Sequence, residues 1–135
     1  MQESNRSLER EWQTLQGDHE RYEQMALIIK LAATLSCIFT FDNVVLAFSL
    51  IGVLWLQEGI WKTWQHRTAQ RLMEIEKMLH NGSGEAFQFH TRWDANRPGA
   101  IGLIIEYISN SLRPTVAFPY VVLIGVIAAV QFIAI

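Results

Sequence analysis

Residues 25–61 read MALIIKLAATLSCIFTFDNVVLAFSLIGVLWLQEGIW, two apolar runs broken at Phe41-Asp42-Asn43. Runs of this length and greasiness are suited to hydrocarbon rather than to the core of a small water-soluble domain. The short polar break between them reads as a turn, so the stretch is expected to fold as a hairpin of two transmembrane helices. A third apolar run, Val116–Ile135, contains no charged residue. The predicted fold class is an all-α membrane protein. It consists of a two-helix transmembrane hairpin extended into an antiparallel cytoplasmic helical stalk, an interfacial helix and a C-terminal third transmembrane helix. The corresponding segments are 1–84, 85–114 and 115–135.

Composition supports that class. Half of the 135 residues are apolar and only 18% are charged, with the charges gathered outside the apolar runs. The formal net charge of −2 gives no concentrated cationic surface, which argues against nucleic-acid binding. Cys37 is the only cysteine and has neither a disulfide partner nor a metal-ligand companion. The first residues lack the positive-then-apolar layout of a cleavable signal peptide, so the first span is expected to act as the targeting signal.

Ahead of the first span, Leu8, Trp12, Leu15, His19, Tyr22 and Ala26 recur at heptad spacing. Ser4 or Asn5 is expected to cap that helix, and Gly17 weakens it by about 1 kcal/mol relative to Ala. The first span, Met25–Phe41, is short at about 25 Å of helix. Lys30 lies inside it, where a charge must snorkel or pair. Folding at Asp42 brings Glu58 within reach of Lys30, so an intramembrane ion pair, structural or functional, is expected.

The second run, Val44–Leu56, meets an indole belt of Trp55, Trp61 and Trp64, which marks a membrane boundary. No helix breaker follows until Asn81-Gly82-Ser83-Gly84, so the same helix is expected to run to His80. Its outer half carries a second stripe, Trp61, Trp64, Thr68, Leu72, Ile75 and Leu79. The fold at Asp42 sets the two stripes face to face: Leu8 with Met78, Trp12 with Met73, Leu15 with Ala69 or Leu72, and Tyr22 with Trp64. Neither amphipathic helix would be stable alone, and pairing buries one face of each.

Glu85–Arg97 shows no clean period, and its Phe87, Phe89 and Trp93 are expected against the stalk or at the interface. Pro98 suits the first turn of a new helix. In Ala100–Leu112, Ile101, Ile104, Ile105, Ile108 and Leu112 share one face, opposite Gly102, Glu106, Ser109, Asn110 and Arg113. That pattern suits a helix lying in the membrane interface. Pro119 falls near the start of the third span, and Tyr120 reads as a boundary aromatic. Lys62, Arg67, Arg71, Lys77, Arg92, Arg97 and Arg113 all fall between the second and third spans. The positive-inside rule therefore predicts a cytoplasmic amino terminus and middle segment in a bacterial inner membrane, with the carboxyl terminus periplasmic.

The chain contains no Gly-rich phosphate loop, HExxH, nucleophile elbow or CxxC, and no cofactor, metal site or small-molecule substrate is expected. His19 and His66 come opposite each other in the folded register. They could form half of a metal or proton site with Glu20 or Glu23, or a polar layer that fixes register. Two histidines fall short of a ligand set. The pairs Ala32/Ser36, Ala33/Cys37 and Gly125/Ala129 permit close helix approach.

The strings LWLQEGIW at 54–61, RLMEIEKML at 71–79 and SLRPTVAFPYVVL at 111–123 resemble a group of small inner-membrane proteins of gamma-proteobacteria. The resemblance runs from about Trp12 to Val130 and implies no activity. The order of spans and cytoplasmic helix is also similar to the SLATT class of membrane effectors, thought to form pores in defence systems. That class has two spans where this chain has three apolar runs. The expected function is that of a non-enzymatic membrane protein, an oligomeric scaffold or small accessory subunit whose partners are the bilayer, copies of itself or other membrane-protein subunits. The alternative is a pore-forming or ion-conducting effector gated through the stalk, for which only Lys30, Thr34, Ser36, Thr40, Ser49 and Gln131 could supply a polar lining.

Overall fold

The turn at residues 40–43 decides how the first two helices meet. The Thr40 hydroxyl and backbone N–H both donate to the Ser36 carbonyl, ending α1, Gln2–Phe39. Asn43 then takes an extended conformation, and its side-chain oxygen accepts the Leu46 N–H at 3.1 Å, which caps the start of α2, Val44–Asn81. Each helix has 38 residues, or about 57 Å at the α-helical rise. The computed structural model describes every residue from Met1 to Ile135, and it is all helical, with no strand. After α2 come α3, Phe89–Ala95, α4, Ala100–Ser111, and α5, Pro114–Ala134.

Several boundaries differ from the sequence expectation for local reasons. Neither Ser4 nor Asn5 caps α1, because the helix already begins at Gln2. The Ser4 hydroxyl instead reaches the Gly84 carbonyl at 3.3 Å. Helix α3 forms inside the stretch that showed no period, since a helix of two turns is too short to display one. Helix α5 opens at Pro114 rather than Val116, where a proline sacrifices no hydrogen bond. Gly82 has φ +68° and donates its N–H to the Leu79 carbonyl, the left-handed closure that glycine favours at a helix end.

Contacts between α1 and α2 occur in opposite order along the two helices. Glu11 meets Arg71, Trp12 meets Glu76, Glu23 meets Gln65, and Lys30 meets Glu58. Two apolar clusters flank this polar series. Near the 40–43 turn, Ala33 and Cys37 pack on Ala47 and Ile51 of α2 and on Tyr120 and Ile127 of α5. The small Ala33 and Ala47 let the backbones approach closely. At the other end, Leu8, Leu15, Leu72 and Ile75 form a cluster with Trp12, Met78, Leu79 and Ala86 around it. Gly125 and Ala129 have no part in either cluster and face outward.

Helices α1, α2 and α5 are each long and apolar enough to cross a membrane. Their large apolar residues face outward, among them Leu31, Ile38, Val53, Phe118 and Phe132. The interior holds Glu58, Thr63, Arg67 and Arg71. The interior is thus mixed, with twelve buried apolar residues beside nine polar or charged ones, and the uncovered apolar faces of the long helices suit hydrocarbon.

Candidate functional site

Polar side chains collect along one face of α2. Trp55, Gly59, Thr63, Arg67 and Arg71 recur every four residues, so they form a nearly continuous ridge with Glu58 beside it. This ridge meets α1, α4, α5 and the segment before α3.

At its membrane end, Glu58 is fully buried. Its Oε2 accepts the Tyr120 hydroxyl of α5 at 2.5 Å, and Lys30 Nζ of α1 lies 3.0 Å from Oε1. The Lys30 contact is an ion pair without hydrogen-bond alignment, because no donor points squarely at Oε1. Trp55 stacks on the Tyr120 ring, with centroids 5.8 Å apart and planes tilted by 6°. Its indole N–H donates to the Ser111 carbonyl at 2.8 Å, which ties the end of α4 to the same place. Tyr120, read from the sequence as a boundary aromatic, is wholly buried here. Pro119 before it lies within α5.

One turn along α2, Gly59 leaves room for α4. A Cβ at this position would stand 1.8 Å from Ser111 Oγ. The Thr63 hydroxyl donates to the Gly59 carbonyl and accepts from Asn110 Nδ2 at 2.9 Å. Another turn on, Arg67 Nη2 bonds Glu106 Oε2 at 2.8 Å. Its guanidinium carbon lies 5.0 Å from the Trp64 ring centre and 4.6 Å from that of Trp93. Arg67 Nε and Nη1 are buried without hydrogen-bond acceptors, and the two indole faces add cation–π compensation to that of the Glu106 carboxylate. The pairs Thr63–Asn110 and Arg67–Glu106 have matching four-residue spacing on two helices that run in opposite directions.

At the far end, Arg71 Nε and Nη2 grip the two Glu11 oxygens at 2.8 and 3.2 Å, with both side chains buried. Nη1 bonds Glu74 at 3.1 Å, and Nη2 also bonds the Glu85 carbonyl at 3.0 Å. Burial works to lower the Arg71 pKa, but the hydrogen bonds and charges of Glu11 and Glu74 outweigh it and raise the pKa above its ordinary value. Glu11 also accepts the Phe87 N–H, holding Phe87 at φ +60°. Removing one member of a buried pair such as Glu11–Arg71 costs about 3–5 kcal/mol.

The residues proposed as inter-helix contacts are distributed unevenly. Leu8, Leu15 and Leu72 are in the apolar cluster, and Trp12 and Met78 pack against it. Met73 does not join them and is exposed, because the cluster takes Leu72 and Ile75 from that turn of α2. Trp12 directs its indole N–H to Glu76 at 3.0 Å rather than packing on Met73. Tyr22 meets Trp61, with ring centroids 5.5 Å apart. Trp64 lies 6.2 Å from Trp93 and under the Arg67 guanidinium, and it lines one open cavity of about 370 Å³ with Tyr22 and Leu15. Burial, with the Asp18 charge second, raises the Tyr22 pKa.

His19 and His66 line one open cavity of about 290 Å³ with Glu23 and Lys62. No group of three or more His, Cys, Asp or Glu side chains is placed to share a metal ion. The sequence reading missed the α2 ridge and its partners Glu106, Asn110 and Ser111. The available signal was the four-residue recurrence on α2 repeated by Glu106 and Asn110 on α4. No protein-family model, curated protein or solved structure matches this chain.

Proposed function

We propose that the protein is a non-enzymatic integral membrane protein of a bacterial inner membrane, working as a scaffold or small accessory subunit. In this reading α1 and α2 form a transmembrane hairpin that continues into a cytoplasmic antiparallel stalk. Helix α4 lies at the interface, and α5 is the third span with a periplasmic end. The observation that carries the proposal is the fate of the buried charges. Glu11, Glu58, Arg67 and Arg71 are the buried charged residues, and each has its ionic partner on another helix. The groups best suited to chemistry are thus engaged in joining elements, and the stalk and the outward faces of the spans are left for association.

Purification from native membranes in mild detergent, followed by sizing and identification of copurifying proteins, tests the proposal. The expected result is an assembly well above the 15.5 kDa monomer. A monodisperse monomer with no stoichiometric partner would overturn it. An ion-conducting effector requires a polar lining. The hydroxyls of Thr34, Thr40 and Ser49 instead bond carbonyls of their own helices. Ion flux through proteoliposomes under any trigger would revive that reading.

A further inference from the structure

Six of the eleven Lys and Arg side chains form ion pairs, and of the five that do not, Arg113 is the one that lines a cavity shared by three helices. It is exposed, and it forms no ion pair with any carboxylate. It stands at the N-cap of α5, where the chain turns from α4 into its third apolar helix. Arg113 lines the same cavity of about 290 Å³ as His19, Lys62, His66 and Thr115. Glu23 is the only acidic residue of that lining, and Gln65 and Lys62 already hold it, at 2.8 and 3.7 Å. The cavity is open and is walled by basic and neutral hydrogen-bonding groups from α1, α2 and α5.

We propose that this cavity binds the phosphate of an anionic phospholipid headgroup. The inference rests on the reading that Lys62 and Arg113 lie at the cytoplasmic boundary of the bilayer. Charge complementarity supplies the first argument, since basic pockets between membrane helices on the cytoplasmic side suit anionic headgroups. Arg113 offers a planar fork of donors that matches phosphate oxygens, and because Lys62 already bonds Gln65 at 2.9 Å and pairs with Glu23, Arg113 supplies the uncompensated charge. The position of α5 supplies the second argument. Phe118 and Val121 follow Arg113 within about two turns and are exposed. A phospholipid whose phosphate sits at Arg113 would have exposed apolar residues of α5 within reach of its acyl chains, a contact that a soluble phosphate does not make.

Native mass spectrometry of the full-length protein in detergent tests this, with phosphatidylglycerol and phosphatidylcholine titrated in parallel. Phosphatidylglycerol is expected to bind with a preference of about fivefold or more, and Arg113→Gln should lower its affinity by about fivefold. Arg113 holds no tertiary ion pair, so this variant should retain the helical content and thermal stability of the parent. Lys77→Gln, an exposed cation on the outer part of α2, should leave the preference unchanged. Equal binding of the two lipids would overturn the proposal. So would an unaffected Arg113→Gln, or an equal loss in Lys77→Gln, which would show a bulk charge effect. Displacement of the lipid by equimolar glycerol 3-phosphate would make a soluble phosphate the ligand and overturn it as well. The same spectra report assembly size. An intact assembly without lipid preference sinks this inference alone, whereas a partnerless monomer that keeps the preference sinks only the scaffold reading.

Discussion

The contact of Lys30, Glu58 and Tyr120 predicts that one mutation should change sign according to its background. Glu58 is fully buried, whereas the Lys30 side chain is 27% exposed on a long stem. Lys30→Met removes the only cation near Glu58 and leaves a carboxylate inside the protein with Tyr120 as its one hydrogen-bond donor. The cost is that of breaking a buried pair, about 3–5 kcal/mol. Glu58→Met removes the buried charge itself. Lys30 can then snorkel, and the remaining penalty is the stranded Tyr120 hydroxyl, about 1–3 kcal/mol. The double variant carries only that second penalty. Glu58→Met should therefore destabilise the parent and stabilise the Lys30→Met protein by about 2 kcal/mol, the difference between the midpoints of the two penalties. Reversible unfolding in mixed micelles, followed by circular dichroism on all four proteins, measures the cycle. Additive losses would refute the reasoning, because they would mean that the Glu58 charge is not confined by its surroundings.

Three further outcomes follow from separate parts of the molecule. Gly59→Ala should destabilise by about 1–3 kcal/mol, the usual cost of overpacking, because its Cβ would meet Ser111 Oγ at 1.8 Å; Ser111→Ala should recover part of the loss in the same unfolding assay. In a Cys37→Ala background, cysteines at Trp12 and Glu76 should crosslink within one chain, whereas cysteines at Trp12 and Met73 should not, as read by mobility after oxidation. Glu23 has its pKa held below the ordinary glutamate value by the Gln65 hydrogen bond first and by Lys62 second. Its contribution is therefore fully present above the unfolded-state pKa and is lost as pH falls through the lower folded-state value. The carboxylate is two-thirds exposed, so the effect stays under about 1 kcal/mol. Glu23→Gln should flatten the acid limb of a plot of melting temperature against pH, and an unchanged limb would count against the assignment.

The apolar runs and the breaks at residues 40–43 and 81–84 were legible because hydropathy and helix punctuation are local properties. The neighbourhood of Lys30 and Glu58 was legible too, since a fold at Asp42 sets approximate register along both helices. Register does not specify which face of a helix is used. Trp12 therefore directs its indole to Glu76 while Met73 stays exposed, and Tyr22 meets Trp61. The larger omission was the α2 face that receives α4. In the sequence Glu106 and Asn110 read as the polar face that an interfacial helix turns to water, and that reading hides their pairing with Arg67 and Thr63. Tyr120 was hidden by similar reasoning, because an aromatic near the start of a span usually marks the boundary.

Helix α4 shows the physical choice most clearly. Ile101, Ile104, Ile105, Ile108 and Leu112 are all exposed, while Asn110 and Ser111 are buried and Glu106 turns to Arg67. In water this orientation would leave an isoleucine stripe uncovered and place polar groups inward, losing free energy on both faces. Rotating the helix by half a turn would cure that, yet it would also separate Asn110 from Thr63 and Glu106 from Arg67. Beside hydrocarbon the balance reverses, because an isoleucine in lipid costs nothing and an unpaired carboxylate or amide there costs several kcal/mol. The Gly59 gap against Ser111 and the four-residue match of the two polar ridges fit one rotation of α4 alone. On the proposed membrane placement, lipid on the isoleucine face would be what makes that rotation the stable one.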